Sequence, residues 1–300
     1  MANSTEHHES DRLRSYSSIF SRSVFCDMMS HSDFSHLDWL CSEYDAAFAG
    51  GRSYMDYMKH IYRSLQRSYR CEYVFKNEIL NQLLLKQFGS RSTVVFNEFK
   101  VGDSIVDTAM FNGVSKAFEI KTPLDSPKRL LKQIADYRKV FNQCYLVVDE
   151  IDYEQYCSTV DQSVGIIIAS TNKGRLSLVM AREASISDAI DSDVAIKCLR
   201  TAEYQRIVTD YFGQLPAVPA FEMYDACKEM LANIPPQELN LLFIQQLKQR
   251  RSATAQLKAA PKELRQMMLA LNLPAKKQDE LVNNLNNTPI NSTKLCITRI

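Results

Sequence analysis

The sequence predicts a mixed α/β protein, with a mixed sheet flanked by helices and a C-terminal helical region. Three observations carry this. Between 93 and 122 lie three short runs rich in apolar and β-branched residues, separated by turn formers at Gly102-Asp103 and Asn112-Gly113. CYLVV at 144–148 and VGIIIAS at 164–170 have the length of buried strands, and a basic amphipathic helix pattern at 127–141 precedes them. From about residue 186 the strand signals stop and apolar positions recur at helical spacing.

Composition sets bounds before any motif is considered. The chain has 300 residues, 45% hydrophobic and 24% charged, which is ordinary for a soluble protein and enough for two domains. A formal net charge of +1 does not advertise bulk polyanion binding, so any nucleic-acid surface must be local. The 8 cysteines show neither CxxC nor interleaved His pairs, which disfavours a structural zinc site or disulfide scaffold and fits a reducing compartment. No apolar stretch is long enough to span a bilayer. The polar start MANSTEHHESDRLRS lacks the apolar segment of a secretory signal. The expectation is a cytoplasmic protein with no membrane partner.

Residues 1–23, rich in Ser, His and charge, read as a flexible N-terminal tail. An N-terminal helical segment follows over 24–70. Its first part, to Phe48, carries Phe34, Trp39, Leu40 and Tyr44 on short helices, and Gly50-Gly51 breaks the pattern. Ser53 is placed to cap a helix running to about Tyr69. Arg63, Arg67 and Arg70 lie near it, either touching phosphates or forming a solvated basic face. The α/β core spans 71–185. It opens with a helix over 72–88 whose apolar stripe includes Val74, Ile79, Leu83 and Leu84, with Gly89 as its stop. Glu78 sits beside that stripe, as a surface or ion-paired glutamate or as a site acid.

The first strand, over 93–101, brings Glu98 to the border of the later chemistry or to a solvated strand end, while Asp103 reads as turn chemistry. If 104–111 is a strand, its period of two puts Ile105, Asp107 and Ala109 on one face and Val106, Thr108 and Met110 on the other. Asn112-Gly113 then signals a hairpin. The third strand, over 115–122, gives Ala117, Glu119 and Lys121 a common face, so pairing lets Asp107 and Glu119 converge near Lys121. Two acids offer hard oxygen ligands for Mg²⁺ or Mn²⁺, and the Ile120 carbonyl is available as a third. Lys121 could orient a water or stabilise developing charge.

Here the chain resembles the PD-(D/E)XK nuclease superfamily. Asp107 matches that family's first acid, with Val106 where the family often has Pro, and Glu119-Ile120-Lys121 matches its E-x-K element. Gln133 and Tyr137 match the Q-x-x-x-Y feature of some branches, and Glu78 matches a frequent extra acid on the preceding helix. The match covers roughly 71–148. It implies a restriction-endonuclease-like core that cleaves DNA, or less often RNA, with Mg²⁺ or Mn²⁺. Asp107, Glu119 and Ile120 would hold metal, and Lys121, Glu78, Gln133 and Tyr137 would serve catalysis. Without the resemblance, a Gln133–Tyr137 packing contact accounts for that helix face.

Pro123 ends the third strand, and Ser126-Pro127 reads as an N-cap with first-turn proline for the helix over 127–141. That helix packs Leu130, Leu131, Ile134, Tyr137 and Val140 and exposes a basic rim, with Lys128, Arg129 and Lys132 as candidate phosphate contacts beside Arg138 and Lys139. Asp149-Glu150 reads as a solvated strand end, and 175–181 as a further strand. A C-terminal helical domain or cap is expected over 186–300, locally basic through residues such as Lys248, Arg250, Lys258 and Arg265. It would grip nucleic acid through phosphates or be a solvated face. The run at 294–300 could be a terminal strand.

The leading expectation is therefore a metal-dependent deoxyribonuclease, for which a homodimer would suit duplex cutting and defence against foreign DNA is one setting. Two rivals stand: a noncatalytic nucleic-acid-binding protein on the same core, and a protein-interaction module. Nucleotide binding has no support, because neither GxxxxGK[ST] nor GxGxxG occurs. The 5 histidines all lie in the first 60 positions and form no metalloprotease motif.

Overall fold

Six runs of the sequence fold as strands because their apolar and β-branched side chains pack on a pleated, half-buried surface. In the computed structural model, which describes residues 2–87, 93–122, 125, 127–250, 254 and 256–291, the chain begins with α1 (Ala2–Ser18), α2 (Arg22–His31), α3 (Ser35–Tyr44), α4 (Tyr54–Ser68) and α5 (Glu72–Glu78). A π-helical stretch, Ile79–Leu84, leads into the short α6 (Leu85–Gln87). Then come β1 (Val94–Val101), β2 (Ser104–Phe111), β3 (Ser115–Lys121), α7 (Leu130–Tyr137), β4 (Gln143–Asp149), α8 (Tyr153–Thr159), β5 (Gly165–Asn172) and β6 (Arg175–Arg182). The remainder is helical: α9 (Ser192–Cys198), α10 (Thr201–Phe212), α11 (Met223–Ala232), α12 (Pro236–Lys248), α13 (Arg265–Ala270) and α14 (Ala275–Asn287).

The sheet has the order β1-β2-β3-β4-β5-β6. β1–β2 and β2–β3 are antiparallel, whereas β3–β4 and β4–β5 are parallel. A parallel neighbour needs a crossover, and α7 supplies it between β3 and β4. Gly113, at φ +114°, makes the β2–β3 turn where the Asn-Gly signal stands. The fold is thus mixed α/β, with a six-stranded mixed sheet flanked by helices.

The chain divides into two compact units, one of Met1–Leu85, Ser170–Ser177 and Ala255–Ile300, the other of Lys86–Ala169 and Leu178–Thr254. In the second unit, Leu130, Ile134 and Tyr137 of α7 share a core with Ala109, Phe111, Ala117, Leu146 and Val148, whereas Leu131, expected on the same packing side, is 60% exposed. Ile196, Ile207, Val208, Leu231, Phe243 and Leu247 of the later helices extend the same core. In the first unit, α4 starts with a capping box between Ser53 and Asp56 and buries Tyr57, Met58, Ile61, Tyr62 and Leu65.

Several expectations change. Within the tail expected over 1–23, Ala2–Ser18 is helical and Arg22 opens α2; Leu13 and Tyr16 give α1 a buried side, and Ile19 and Phe20 are buried in the turn that follows. The C-terminal region is not one domain over 186–300: α9–α12 belong with the sheet, α13 and α14 with the N-terminal helices. The helix over 72–88 changes to π geometry after Glu78, which leaves Ile79, Leu80, Leu83 and Leu84 buried. Asp149 is no solvated strand end. It is 1% exposed, and its Oδ1 accepts from the Ile151 amide to cap the turn after β4. Gly89, Pro123, Ser126 and the run at 294–300 lie outside the described residues. Among the described residues no helix is long and apolar enough to cross a membrane.

Candidate active site

β1, β2 and β3 do not alternate cleanly, and the site lies where they fail to. The β1–β2 register runs through Asn97↔Thr108 and resumes at Phe99↔Val106, skipping Glu98 and Asp107. Glu98 is in the left-handed region at φ 54°, a conformation a non-glycine residue takes at a cost. As a result Phe96 and Phe99, three apart, both pack on Phe111. Val106 and Ala109, also three apart, share one core. The face assignment expected for β2 therefore holds only beyond Asp107: Val106 turns into the core while Ile105 is 52% exposed.

The β2–β3 ladder ends at Thr108↔Phe118. One step further Asp107 breaks the ladder, and its Oδ2 accepts from the Ile120 amide at 2.8 Å. A side-chain oxygen thus replaces the carbonyl that a continued ladder would offer, satisfying a donor that must find a partner. β3 continues beside β4 through Glu119↔Leu146 and Lys121↔Val148, so its end is fixed by the parallel pair.

Glu119 is 2% exposed, and both its oxygens are engaged. Lys121 Nζ donates to Oε1 at 2.8 Å, and the Tyr137 hydroxyl lies 2.7 Å from Oε2. That hydroxyl is also 2.6 Å from the Ile105 carbonyl, and its single hydrogen serves one acceptor at a time. Burial pushes the Tyr137 phenol well above its ordinary range, and the charges of Glu119 and Asp107 add to the shift, so it remains a donor. Gln133 Oε1 accepts from Lys121 Nζ at 3.2 Å. α7 positions both of its residues, since an i,i+4 pair shares a helix face. Asp107, Glu119, Lys121, Gln133 and Tyr137 are therefore brought together. Ile120 takes part through its amide, bonded to Asp107.

Glu78 lies in the first unit. Its Oε1 accepts from the Tyr62 hydroxyl at 2.7 Å and Gln66 Nε2 at 2.8 Å, and its Oε2 from Gln82 Nε2 at 2.6 Å. Asn77 Nδ2 donates in turn to Tyr62, which makes a buried polar network. Tyr62 and Gln66 are an i,i+4 pair on α4, as Glu78 and Gln82 are in the next helical segment, but no sequence spacing marked the two pairs as one set.

The basic residues divide. Lys128 and Arg129 are exposed in a 3₁₀ turn before α7, and Lys132 pairs with Asp136 at 3.3 Å and Asp103 at 3.5 Å. Arg138 and Lys139 pair with Asp161 and Asp136. Arg250 is held by Glu203 at 2.6 Å, and Arg265 donates to the Ala260 and Lys258 carbonyls. Among the described residues, no group of three or more His, Cys, Asp or Glu is placed to hold a metal ion.

Comparison with known proteins gives the family. The family model described as Bacteriophage P4 protein cII matches residues 66–272, which include every residue from Asp107 to Tyr137. Protein cII of Enterobacteria phage P4 is 24% identical over 183 residues, covering 60% of this chain and 67% of that protein. Among solved structures, the SPO1766 protein of unknown function from Silicibacter pomeroyi aligns at a TM-score of 0.28 and 17% identity, over 44% of this chain and 86% of its own. On the breadth of the family match, this chain belongs to the bacteriophage P4 protein cII family.

Proposed function

We propose that this protein is a Mg²⁺- or Mn²⁺-dependent nuclease hydrolysing DNA phosphodiester bonds on a restriction-endonuclease-like core. One observation carries the reading. Where β2 and β3 part, Asp107 holds the Ile120 amide, and the buried Glu119 next to it holds the Lys121 ammonium and the Tyr137 hydroxyl, with Gln133 accepting from Lys121. The antiparallel meander β1–β3, the α7 crossover and the parallel β4 support the choice of core.

The donor chemistry fits such an ion. Mg²⁺ takes hard oxygens and commonly only one or two protein carboxylates, leaving its other positions to water and phosphate. Asp107 and Glu119 would hold it, with the Ile120 carbonyl as a further oxygen. When bound, the ion would polarise the phosphodiester and make a water more acidic. The chain's own residues do the rest. Tyr137 fixes the Glu119 rotamer and Gln133 fixes Lys121. The Lys121 ammonium stabilises negative charge developing on a phosphate oxygen, or orients the attacking water. Lys128, Arg129 and Lys132 at the start of α7 would meet the backbone phosphates.

Linear, circular, single-stranded and duplex DNA, with RNA for contrast, should be incubated with the full chain and Mg²⁺ or Mn²⁺. Cleavage is expected, and Asp107→Ala and Glu119→Ala should abolish it with melting still cooperative; full activity in both variants rejects the mechanism. One observation favours a second reading, a noncatalytic nucleic-acid binder on the same core: both Glu119 oxygens already have protein partners. It predicts salt-sensitive binding without metal-dependent turnover in the same experiment.

A further inference from the structure

Resting on the nuclease reading, we infer that Lys121 is the internal counter-ion of Glu119, and that a divalent cation binds by displacing its ammonium. A carboxylate as deeply buried as Glu119 is costly to leave unpaired. Its neighbours are unequal. The Tyr137 hydroxyl is a neutral dipole at Oε2, whereas Lys121 brings a full positive charge to Oε1 and is itself only 7% exposed. Among the described residues, Lys121 is the cation within ion-pair distance of Glu119.

A second cation arriving at that oxygen meets like charge in a poorly screened setting. The ammonium must therefore give way. Exchange keeps Glu119 compensated throughout, while Gln133 remains an acceptor for the displaced Nζ. Cation entry and release of the Lys121 charge toward a phosphate become one event. Lys121 thus sets cation affinity as well as stabilising charge, and the two roles oppose each other: removing the ammonium should tighten cation binding while weakening cleavage.

Calorimetric titration of the full chain with Mn²⁺ tests this without reference to turnover. Lys121→Met should bind on the order of tenfold more tightly than the natural protein, about what an ion pair of modest strength is worth. Lys121→Arg, which keeps the charge, should stay near the natural affinity. Mn²⁺ should also raise the melting temperature of Lys121→Met more than that of the natural protein, a comparison that holds if the substitution lowers stability. Mn²⁺ binding that is lost in Asp107→Asn and Glu119→Gln, yet equal or weaker in Lys121→Met, overturns the counter-ion role and leaves the nuclease reading standing. Absence of Mn²⁺ binding in both the natural protein and Lys121→Met removes the nuclease reading and this inference together.

Discussion

The Tyr137 hydroxyl lies 2.7 Å from Glu119 Oε2, joining α7 to the end of β3 inside a core where both residues are essentially excluded from water. Tyr137→Phe keeps the ring and removes this contact together with the one to the Ile105 carbonyl. A buried carboxylate oxygen then loses a donor, so stability should fall by about 1–3 kcal/mol in urea denaturation. On the nuclease reading, cleavage should also fall at temperatures where the variant is fully folded.

Asp107 has a structural duty that can be separated from its proposed chemical one. Its Oδ2 satisfies the Ile120 amide at 2.8 Å. Asparagine can keep that acceptor and alanine cannot, so Asp107→Ala should be about 1 kcal/mol less stable than Asp107→Asn. Both should be inactive, since neither carries the charge. Equal stability in the two variants would show that the hydrogen bond contributes nothing to the fold.

Glu78 invites the opposite expectation. Three donors of its own unit engage both oxygens of its carboxylate, and it is 6% exposed. Glu78→Gln turns one accepting oxygen into a donor facing donors, which should cost about 1–3 kcal/mol. Cleavage per folded molecule should change little. A loss of turnover with unchanged stability would assign Glu78 a catalytic role.

How far the sequence led can be judged at these same positions. Strand and helix existence was legible, because CYLVV, the Asn112-Gly113 turn and the i,i+4 pair Gln133–Tyr137 are local signals. Convergence of Glu119 and Lys121 followed from period two on β3. The period failed on β2, since the skipped Glu98–Asp107 pair depends on the partner strand and leaves no mark in composition. Likewise the helical character of 2–18 rests on a few buried residues such as Tyr16, which polar neighbours outvote in any window. The division of the C-terminal helices is a long-range matter that spacing cannot express.

Acid should weaken the first unit through Asp45. Burial opposes its charge, but hydrogen bonds from His60, Tyr16 and Tyr57 outweigh burial and hold its carboxyl below the usual range. A depressed carboxyl contributes stability above its unfolded value, near ~3.9, and loses that contribution as pH falls through the lower folded value. Urea midpoints should therefore drop between neutral pH and about pH 3, within the range where such groups titrate. Asp45→Asn should be less stable at neutral pH and show a smaller acid-dependent drop. An identical pH profile in the variant would assign acid sensitivity to other carboxylates.

Gly165, at the start of β5, tests packing independently of any activity. A Cβ built there would lie 2.4 Å from the Tyr145 ring and 2.8 Å from the Ala184 backbone nitrogen. The ring cannot easily retreat, because it stacks on Phe118 at 5.3 Å and its hydroxyl bonds Glu183 at 2.9 Å. Gly165→Ala should therefore destabilise by about 1–3 kcal/mol, the range for overpacking a filled interior. Gly50, with nothing within 4 Å of an added Cβ, is the matched control, and Gly50→Ala should leave the melting temperature nearly unchanged. If both glycines accept alanine equally well, β5 must be able to shift away from β4, and the parallel β4–β5 pairing would be looser than its register implies.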